Sequence, residues 1–284
     1  MRVSALVVAY NTRDLVLEAL ASLRLEADVE SIVVDNASSD GTADAVAAAF
    51  PQVDLVRSPS NLGFAAATNL AARRARAPYL LLLNPDAVLC PGALGLLVGL
   101  LDARRSAAAV GPALVYPDGR HQDSAFHFPG LVQVGLDLFP IDRLAGSRLN
   151  GRIRARGPVP IDHPLGACIL IRRTAWDDIG PLDEGYFMYV EEVDWCRRAR
   201  RRGWQVWHHP GAVVRHHAGA ATRQAADTMF AQLWRSRLRY YQRFHGPAYN
   251  RVLHQLVGLG LNAASRRAAP DSGRALDQVR QLLR

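Results

Sequence analysis

The stretch YLLLLNPDAVL, residues 79–89, decides how the rest of the chain is read. Its first five residues are apolar without alternation, the pattern of a strand covered on both faces rather than half-solvated. The run breaks at Asn84-Pro85-Asp86 and becomes apolar again at Ala87. A carboxylate therefore stands just past the end of a core strand, on a turn that a proline stiffens. In open sheets of parallel strands, ligands bind beyond the carboxyl ends.

Working outward, residues 3–9, 31–34 and 53–56 are short apolar runs of strand character. Between and after them, residues 15–23, 42–50 and 63–76 have helical spacing or helix-forming alanine, and residues 92–104 continue as another helix. Strands alternating with helices of ten or so residues predict an α/β fold: a mostly parallel central sheet with flanking helices. After Val110 the pattern changes. Tyr116-Pro117-Asp118-Gly119 reads as a turn, and residues 126–160 read as loop, rich in Gly, Pro and Arg. A strand over 166–171, a helix over 191–202, two strands near Val206 and Val213, and helices over 222–244 and 249–264 complete the expected order.

The 284 residues can bury a large core. Cys90, Cys168 and Cys196 are far apart and odd in number, which suggests neither a disulfide framework nor a zinc ribbon and fits a reducing compartment. The apolar opening run is cut off at Asn11, unlike a signal peptide, and no run is long enough to span a bilayer. The formal charge is +8, and all 34 basic residues are arginine. The surplus is local: residues 225–284 hold ten arginines against three aspartates, whereas the rest is nearly neutral. With no aromatic-plus-basic module in that near-neutral body, nucleic acid is not the expected partner.

Five places carry candidate chemistry. In VVDNASSDGT (residues 33–42), turn and cap chemistry explains Asn36 to Gly41, but Asp35 directly follows a strand and could accept a pyrimidine N–H or ribose hydroxyls. SNLGFAAATN (residues 60–69) reads either as a capped helix lying close to a sheet or as a helix N-terminus facing phosphate at Gly63. It is not a dinucleotide fingerprint, and none follows the first strand. Asp86 can supply the carboxylate that Mg²⁺ takes together with substrate phosphate oxygens, and Asn84 a neutral amide oxygen. Glu191, Glu192 and Asp194 open a helix that ends in arginines and Gly203, which complements the helix dipole. These acids also follow apolar residues, as if starting inside a cleft where a raised pKa would suit a general base. His216 and His217 end a strand and point to opposite sides, so one of them at most is a ligand.

In order, VVAYN, VVDNASSDGT, NLGFAAATN, LLLNPDA, YPDG, GACILIRR, LDEGYFMYVEEVDWCRR and VVRHHAGAAT resemble the family 2 glycosyltransferases of the GT-A fold, and their rhamnosyltransferase-like branch in particular. The resemblance spans residues 3–222. It implies an inverting single displacement from a nucleotide diphosphate sugar, dTDP-rhamnose in that branch, to a glycan or lipid-linked acceptor in cell-surface polysaccharide synthesis. Asp35, with Ala9, Tyr10 and Asn11, would hold the nucleotide. Asn61, Gly63, Asn69 and Asn84 would line its site. Asp86 would bind Mg²⁺ or Mn²⁺, with His216 as a further ligand. Asn84-Pro85-Asp86 stands where the family has Asp-x-Asp, and Glu192 stands at the base position, usually Asp, with Glu191 next to it. Gln232-Leu233-Trp234-Arg235-Ser236 lacks the last Trp of the processive motif, which implies one sugar per encounter.

The resemblance divides the chain into a GT-A domain, residues 1–222, and a basic helical extension, residues 223–284. In the extension, Phe230, Leu233, Trp234, Leu238, Tyr241 and Phe244 form an apolar stripe beside Arg235, Arg239 and Arg243. Such a helix either packs on the catalytic body or lies on an anionic membrane, where each arginine contributes about 1 kcal/mol. A cytoplasmic protein, peripheral at the inner face of the plasma membrane, fits the second reading. The alternative to an enzyme is a non-catalytic module that binds nucleotide sugars.

Overall fold

The computed structural model describes residues 1–139, 148–219, 226–265 and 273–283. Strand β1 (Val3–Ala9) is buried at every position and lies at the heart of the sheet. It is followed by α1 (Arg13–Arg24), β2 (Val29–Asp35), α2 (Thr42–Ala49), β3 (Asp54–Arg57), α3 (Phe64–Arg74), β4 (Tyr79–Leu83), β5 (Ala87–Leu89), α4 (Ala93–Ala103) and β6 (Ala107–Val115). This half matches the sequence reading closely, apart from the short β5.

The second half is less regular. It contains β7 (His121–Gln122), β8 (Ala125–Phe126), α5 (Leu131–Leu138), β9 (Val159–Ile161), β10 (His163–Pro164), β11 (Cys168–Arg172), α6 (Arg173–Ile179), α7 (Glu191–Arg201) and β12 (Gln205–His216). Helices α8 (Ala226–Phe244), α9 (Pro247–Ser265) and α10 (Gly273–Leu282) follow. Two expectations need correcting. Residues 126–160 are not all loop, since α5 and the start of β9 lie among them. The two strands near Val206 and Val213 are one strand, with a register shift between His209 and Val213 where Pro210-Gly211 interrupts the ladder. The expected start of the next helix, at Thr222, lies outside the described residues.

The sheet order is β3-β2-β1-β4-β11-β6-β12-β5. Strands β3, β2, β1 and β4 are parallel; β11 is antiparallel to both β4 and β6, and β12 is parallel to β6. Six strands thus share one direction, and β11 and β5 oppose it. Along β4, Tyr79, Leu81 and Leu83 pack on one face with α1 and α4, while Leu80 and Leu82 pack on the other with α3, α6 and α7. Each such leucine, taken fully out of water, contributes roughly 2 kcal/mol. This is the reason the opening stretch is apolar without alternation.

A third cluster joins α5, α8, α9 and α10 to the start of α7, through Val134, Tyr186, Val193, Trp234, Leu253 and Val279. Most of the apolar stripe of α8 therefore faces inward: Trp234, Leu238, Tyr241 and Phe244 are buried, Leu233 is partly buried and Phe230 is exposed. Among the described residues, no helix is long and apolar enough to cross a membrane.

Candidate active site

Strand register brings the first pair of functional groups together. β5 pairs antiparallel with the end of β12, placing Ala87 opposite His216, and the His217 N–H donates to the Asp86 carbonyl at 3.0 Å. Residues 130 positions apart in the chain thereby become neighbours. The Asp86 Oδ1 and His216 Nε2 atoms are 3.2 Å apart, and both side chains are buried. On the ring's other side, Nδ1 lies 3.0 Å from Gln122 Oε1. With that amide oxygen accepting from Nδ1–H, Nε2 faces the carboxylate at a distance that a bridging proton or cation would fill. Neighbouring His217 points the other way, toward Glu18 at 4.0 Å, as strand alternation requires.

The ends of β1 and β2 form a second wall. Asn11, with φ 50°, accepts at Oδ1 from the Ser39 N–H at 2.8 Å, and its own N–H donates to Ser38 Oγ at 3.0 Å. Asp35 is buried. Its Oδ2 accepts from the Ser38 N–H at 3.3 Å, and Oδ1 has no hydrogen-bond partner among the described residues. A buried acceptor left in this way invites a donor from a ligand. Asn36 donates from Nδ2 to Asn61 Oδ1 at 2.9 Å and accepts from the Leu62 N–H at 2.8 Å, which fixes the loop before α3.

Two residues of the 60–69 stretch expected at the nucleotide site, Gly63 and Asn69, also have structural duties. A Cβ on Gly63 would lie 2.4 Å from the Phe187 carbonyl oxygen, and that oxygen accepts the first amide of α3, from Phe64, at 2.7 Å. Glycine is needed there for backbone approach as well as for its φ of 79°, and the Phe64 amide is not offered to a phosphate. The Asn69 side chain is bonded to both the N–H and the carbonyl of Leu182 and to Glu184, bracing the segment that leads to α7.

That segment carries the acids. Tyr189 and Val190 have φ of 69° and 72°, a strained pair that turns the chain sharply into α7. The Ser236 hydroxyl holds the turn by donating to the Met188 carbonyl at 2.7 Å. Glu192 rests on Gly166, where a Cβ would crowd its carboxylate at 3.3 Å. Burial pushes the Glu192 carboxyl up to about 7. Burial and then the charge of Glu192 hold Glu191 well above the usual carboxylate range, and Glu191 Oε2 has no partner among the described residues. Asp194 is different. Fully buried, it meets Arg198 at 2.8 Å, Arg243 at 3.0 Å and the Tyr186 hydroxyl at 3.2 Å. The three acids of the motif divide into two that face a cavity and one that locks α7 to α8.

One cavity of about 740 Å³ collects these parts. Among its lining residues are Asp86 and His216, then Glu191 and Glu192, and also Tyr10, Asn11, Asn61, Gly63 and Asn84 from the predicted set. Ala9, Asp35 and Asn69 are not in the lining. The Glycosyl transferase family 2 model matches residues 4–180, more than half of the chain. The chain belongs to glycosyl transferase family 2.

Relatives of this glycosyltransferase agree. It is 31% identical over 211 residues to the N-acetylglucosaminyl-diphospho-decaprenol L-rhamnosyltransferase of Mycobacterium tuberculosis, covering 69% of each chain. Its fold is the GT-A fold. A mannosyltransferase from Pyrobaculum calidifontis, solved with GDP-Man and Mn²⁺, superposes with TM-score 0.60 at 19% identity, over 99% of this chain and 80% of that one. Residues 1–349 of S. aureus TarS, solved with UDP-GlcNAc, superpose with TM-score 0.56 at 15% identity, over 93% and 81%.

Asp86 and His216 are the residues that could hold a divalent cation, since a carboxylate oxygen and a ring nitrogen converge and Gln122 orients the ring from behind. No group of three or more His, Cys, Asp or Glu capable of holding a metal occurs among the described residues, so oxygens of the substrate would have to complete the shell. Sequence reasoning missed Gln122 and Asn36. Gln122 carries no local signal, since its partner is 94 residues away. Asn36 does carry one, in directly following Asp35 at a strand end, but turn chemistry explained it as well.

Proposed function

We propose that the protein is an inverting, metal-dependent, non-processive glycosyltransferase. It moves a sugar from a nucleotide diphosphate to a lipid-linked acceptor in the assembly of a cell-surface polysaccharide, on the cytoplasmic side of the membrane. Rhamnose as the sugar, and a lipid diphosphate as the carrier, come from the likeness to the mycobacterial relative. The observation that carries the reading is that the Asp86–His216 pair and Glu192 line one cavity.

In this mechanism Asp35, which lies behind the cavity lining, is uncovered locally when the donor binds, and its unpartnered Oδ1 then accepts an N–H of the nucleotide base. Asp86 and His216 would hold Mn²⁺ or Mg²⁺, the mixed nitrogen and oxygen set suiting Mn²⁺ better, and such a cation would supply positive charge beside the departing diphosphate. Glu192 removes the proton from the acceptor hydroxyl as that oxygen attacks the anomeric carbon. The bond to the diphosphate breaks on the opposite face, so the configuration inverts, and the proton stays on Glu192 until solvent takes it. Burial and then the charge of Glu192 hold Glu191 well above the usual carboxylate range, so the two carboxyls resist being charged together. Release after one addition accords with α8, where Gln232 bonds Ser236 and Arg235 is exposed rather than turned to the cavity.

The test is a panel of nucleotide sugars with Mg²⁺ or Mn²⁺, scored for thermal shift, hydrolysis and transfer. Asp86→Ala is expected to lose metal-dependent donor binding. Glu192→Gln is expected to keep the donor and to lose transfer by a factor of at least about 10². Full transfer by Glu192→Gln would remove the base assignment. Donor binding by the unmodified chain without hydrolysis or transfer to any acceptor would make it a binding module.

A further inference from the structure

Beyond Glu192 the cavity continues into a part built by the second half of the chain. Its walls there are Val134 of α5 and Met229, Leu233, Arg237 and Tyr241 of α8, with Met188 at the border with the acids. Four of these side chains are aliphatic or thioether, one is aromatic and one, Arg237, is a cation; Gln133 and Asp137 of α5 and Arg152 line the same cavity. The Arg237 guanidinium lies 5.2 Å from the centre of the buried Trp234 ring and pairs with Asp137 of α5 at 2.9 Å, across the gap between the two helices. Its neighbour Ser236 holds the Met188 carbonyl, three residues before Glu191, so this turn of α8 sits directly beside the proposed base.

We propose that this part of the cavity is the acceptor subsite and that it is built for a lipid diphosphate. Arg237 receives the diphosphate, and the apolar side chains of α5 and α8 seat the first units of the hydrocarbon chain. The proposal rests on the glycosyltransferase reading above and deepens it by naming the residues that choose the acceptor. Gln133, Asp137 and Arg237 supply polar groups, while Val134, Met188, Met229 and Leu233 supply hydrocarbon that a free sugar would leave uncovered. An amphiphile with its anion joined to a hydrocarbon matches one guanidinium beside an apolar groove. The planar guanidinium grips phosphate through two parallel N–H bonds, and stacking on Trp234 fixes it in advance. Asp137 competes for the same guanidinium, so the phosphate exchanges with Asp137 when it binds.

The experiment is calorimetric titration of the full chain with farnesyl diphosphate, without divalent cation, so that the Asp86–His216 site does not contribute. Arg237→Met is expected to weaken binding at least tenfold, with partial recovery in Arg237→Lys. Leu233→Ser is expected to weaken farnesyl diphosphate but not inorganic diphosphate, and both inorganic diphosphate and farnesol should bind at least tenfold more weakly than the joined molecule. Asp137→Asn, which removes the competing carboxylate, is expected to tighten binding severalfold, a gain that a folding defect cannot imitate. Asp86→Ala should leave this binding intact. Equal binding by the unmodified chain and Arg237→Met, weaker binding by Asp137→Asn, inorganic diphosphate binding as well as the lipid, or a loss in Asp86→Ala matching that in Arg237→Met would each overturn the proposal. Failure of the glycosyltransferase reading is a separate result, visible only with nucleotide sugars.

Discussion

At the scale of the residue, the Glu191–Glu192 pair links mechanism to stability. Glu192 is raised to about 7 from an ordinary value of 4.5, with burial the main cause. A base works only when ionised, so transfer should rise with pH through a single limb near pH 7 and level off above it. The same shift makes the ionised carboxylate a burden on the fold. Because the native carboxyl binds its proton more tightly than the unfolded one, stability relative to a neutral side chain is retained below about pH 4.5. It is then lost as pH rises toward 7. Glu192→Gln should therefore be inactive yet more stable, by up to about 3 kcal/mol at pH 8 and by little at pH 5. Urea midpoints of the two proteins at both pH values decide this. A variant less stable than the original at pH 8 would mean that Glu192 is not held in a destabilising site, and the pH limb would need another owner.

At the scale of the element, sequence shows well what one segment settles alone and poorly what two segments settle together. The buried strand 79–83, the carboxylate at its end and the acids at the start of α7 are all local patterns, and all three fall where the pattern puts them. The sequence predicts two strands, near Val206 and Val213, where β12 is one; Pro210 has no N–H for the ladder, and only the partner β6 shows that the strand continues past the bulge. Helix α5 has a glycine within it and β-branched valines, which lower helix propensity; packing of Val134 and a cap from Gln133 to the Gly130 N–H compensate. Asp194 is the sharpest case. In the sequence it is one of three acids complementing a helix dipole, yet in the fold it joins two helices through Arg198 and Arg243. Removing one member of a buried ion pair strands the others, at roughly 3–5 kcal/mol. Asp194→Ala should thus unfold far earlier in urea than Asp178→Ala, whose exposed pair with Arg202 is screened by solvent and contributes little. Similar midpoints for the two would deny Asp194 its role as the lock.

At the scale of the whole molecule, the question is what the C-terminal helices do for the rest. Their arginine surplus and the apolar stripe of α8 are plain in the sequence, but what covers the stripe is not, because an amphipathic helix looks the same against protein and against lipid. In the fold, the stripe closes on Tyr186, Val190 and Val193, the residues that frame the acids. Three of the arginines also turn back on the body: Arg237 to Asp137, Arg239 to Asp183, and Arg243 to both Asp183 and Asp194. Helix α8 further supplies Ser236, which holds the strained turn before Glu191, and part of the cavity wall. We therefore propose that residues 226–284 complete the catalytic body rather than append to it. Deleting them would expose the apolar surface around Tyr186 and leave the fully buried Asp194 without Arg243. The shortened chain is expected to be aggregation-prone, to bind a hydrophobic dye strongly and to lose both donor hydrolysis and transfer. Circular dichroism in the near ultraviolet should lose its fixed aromatic signal while the far ultraviolet signal of the sheet is largely retained. If the deletion instead left a sharply melting protein with its donor chemistry intact, the helices would be an accessory, and the turn before Glu191 would have to hold its strained shape without Ser236.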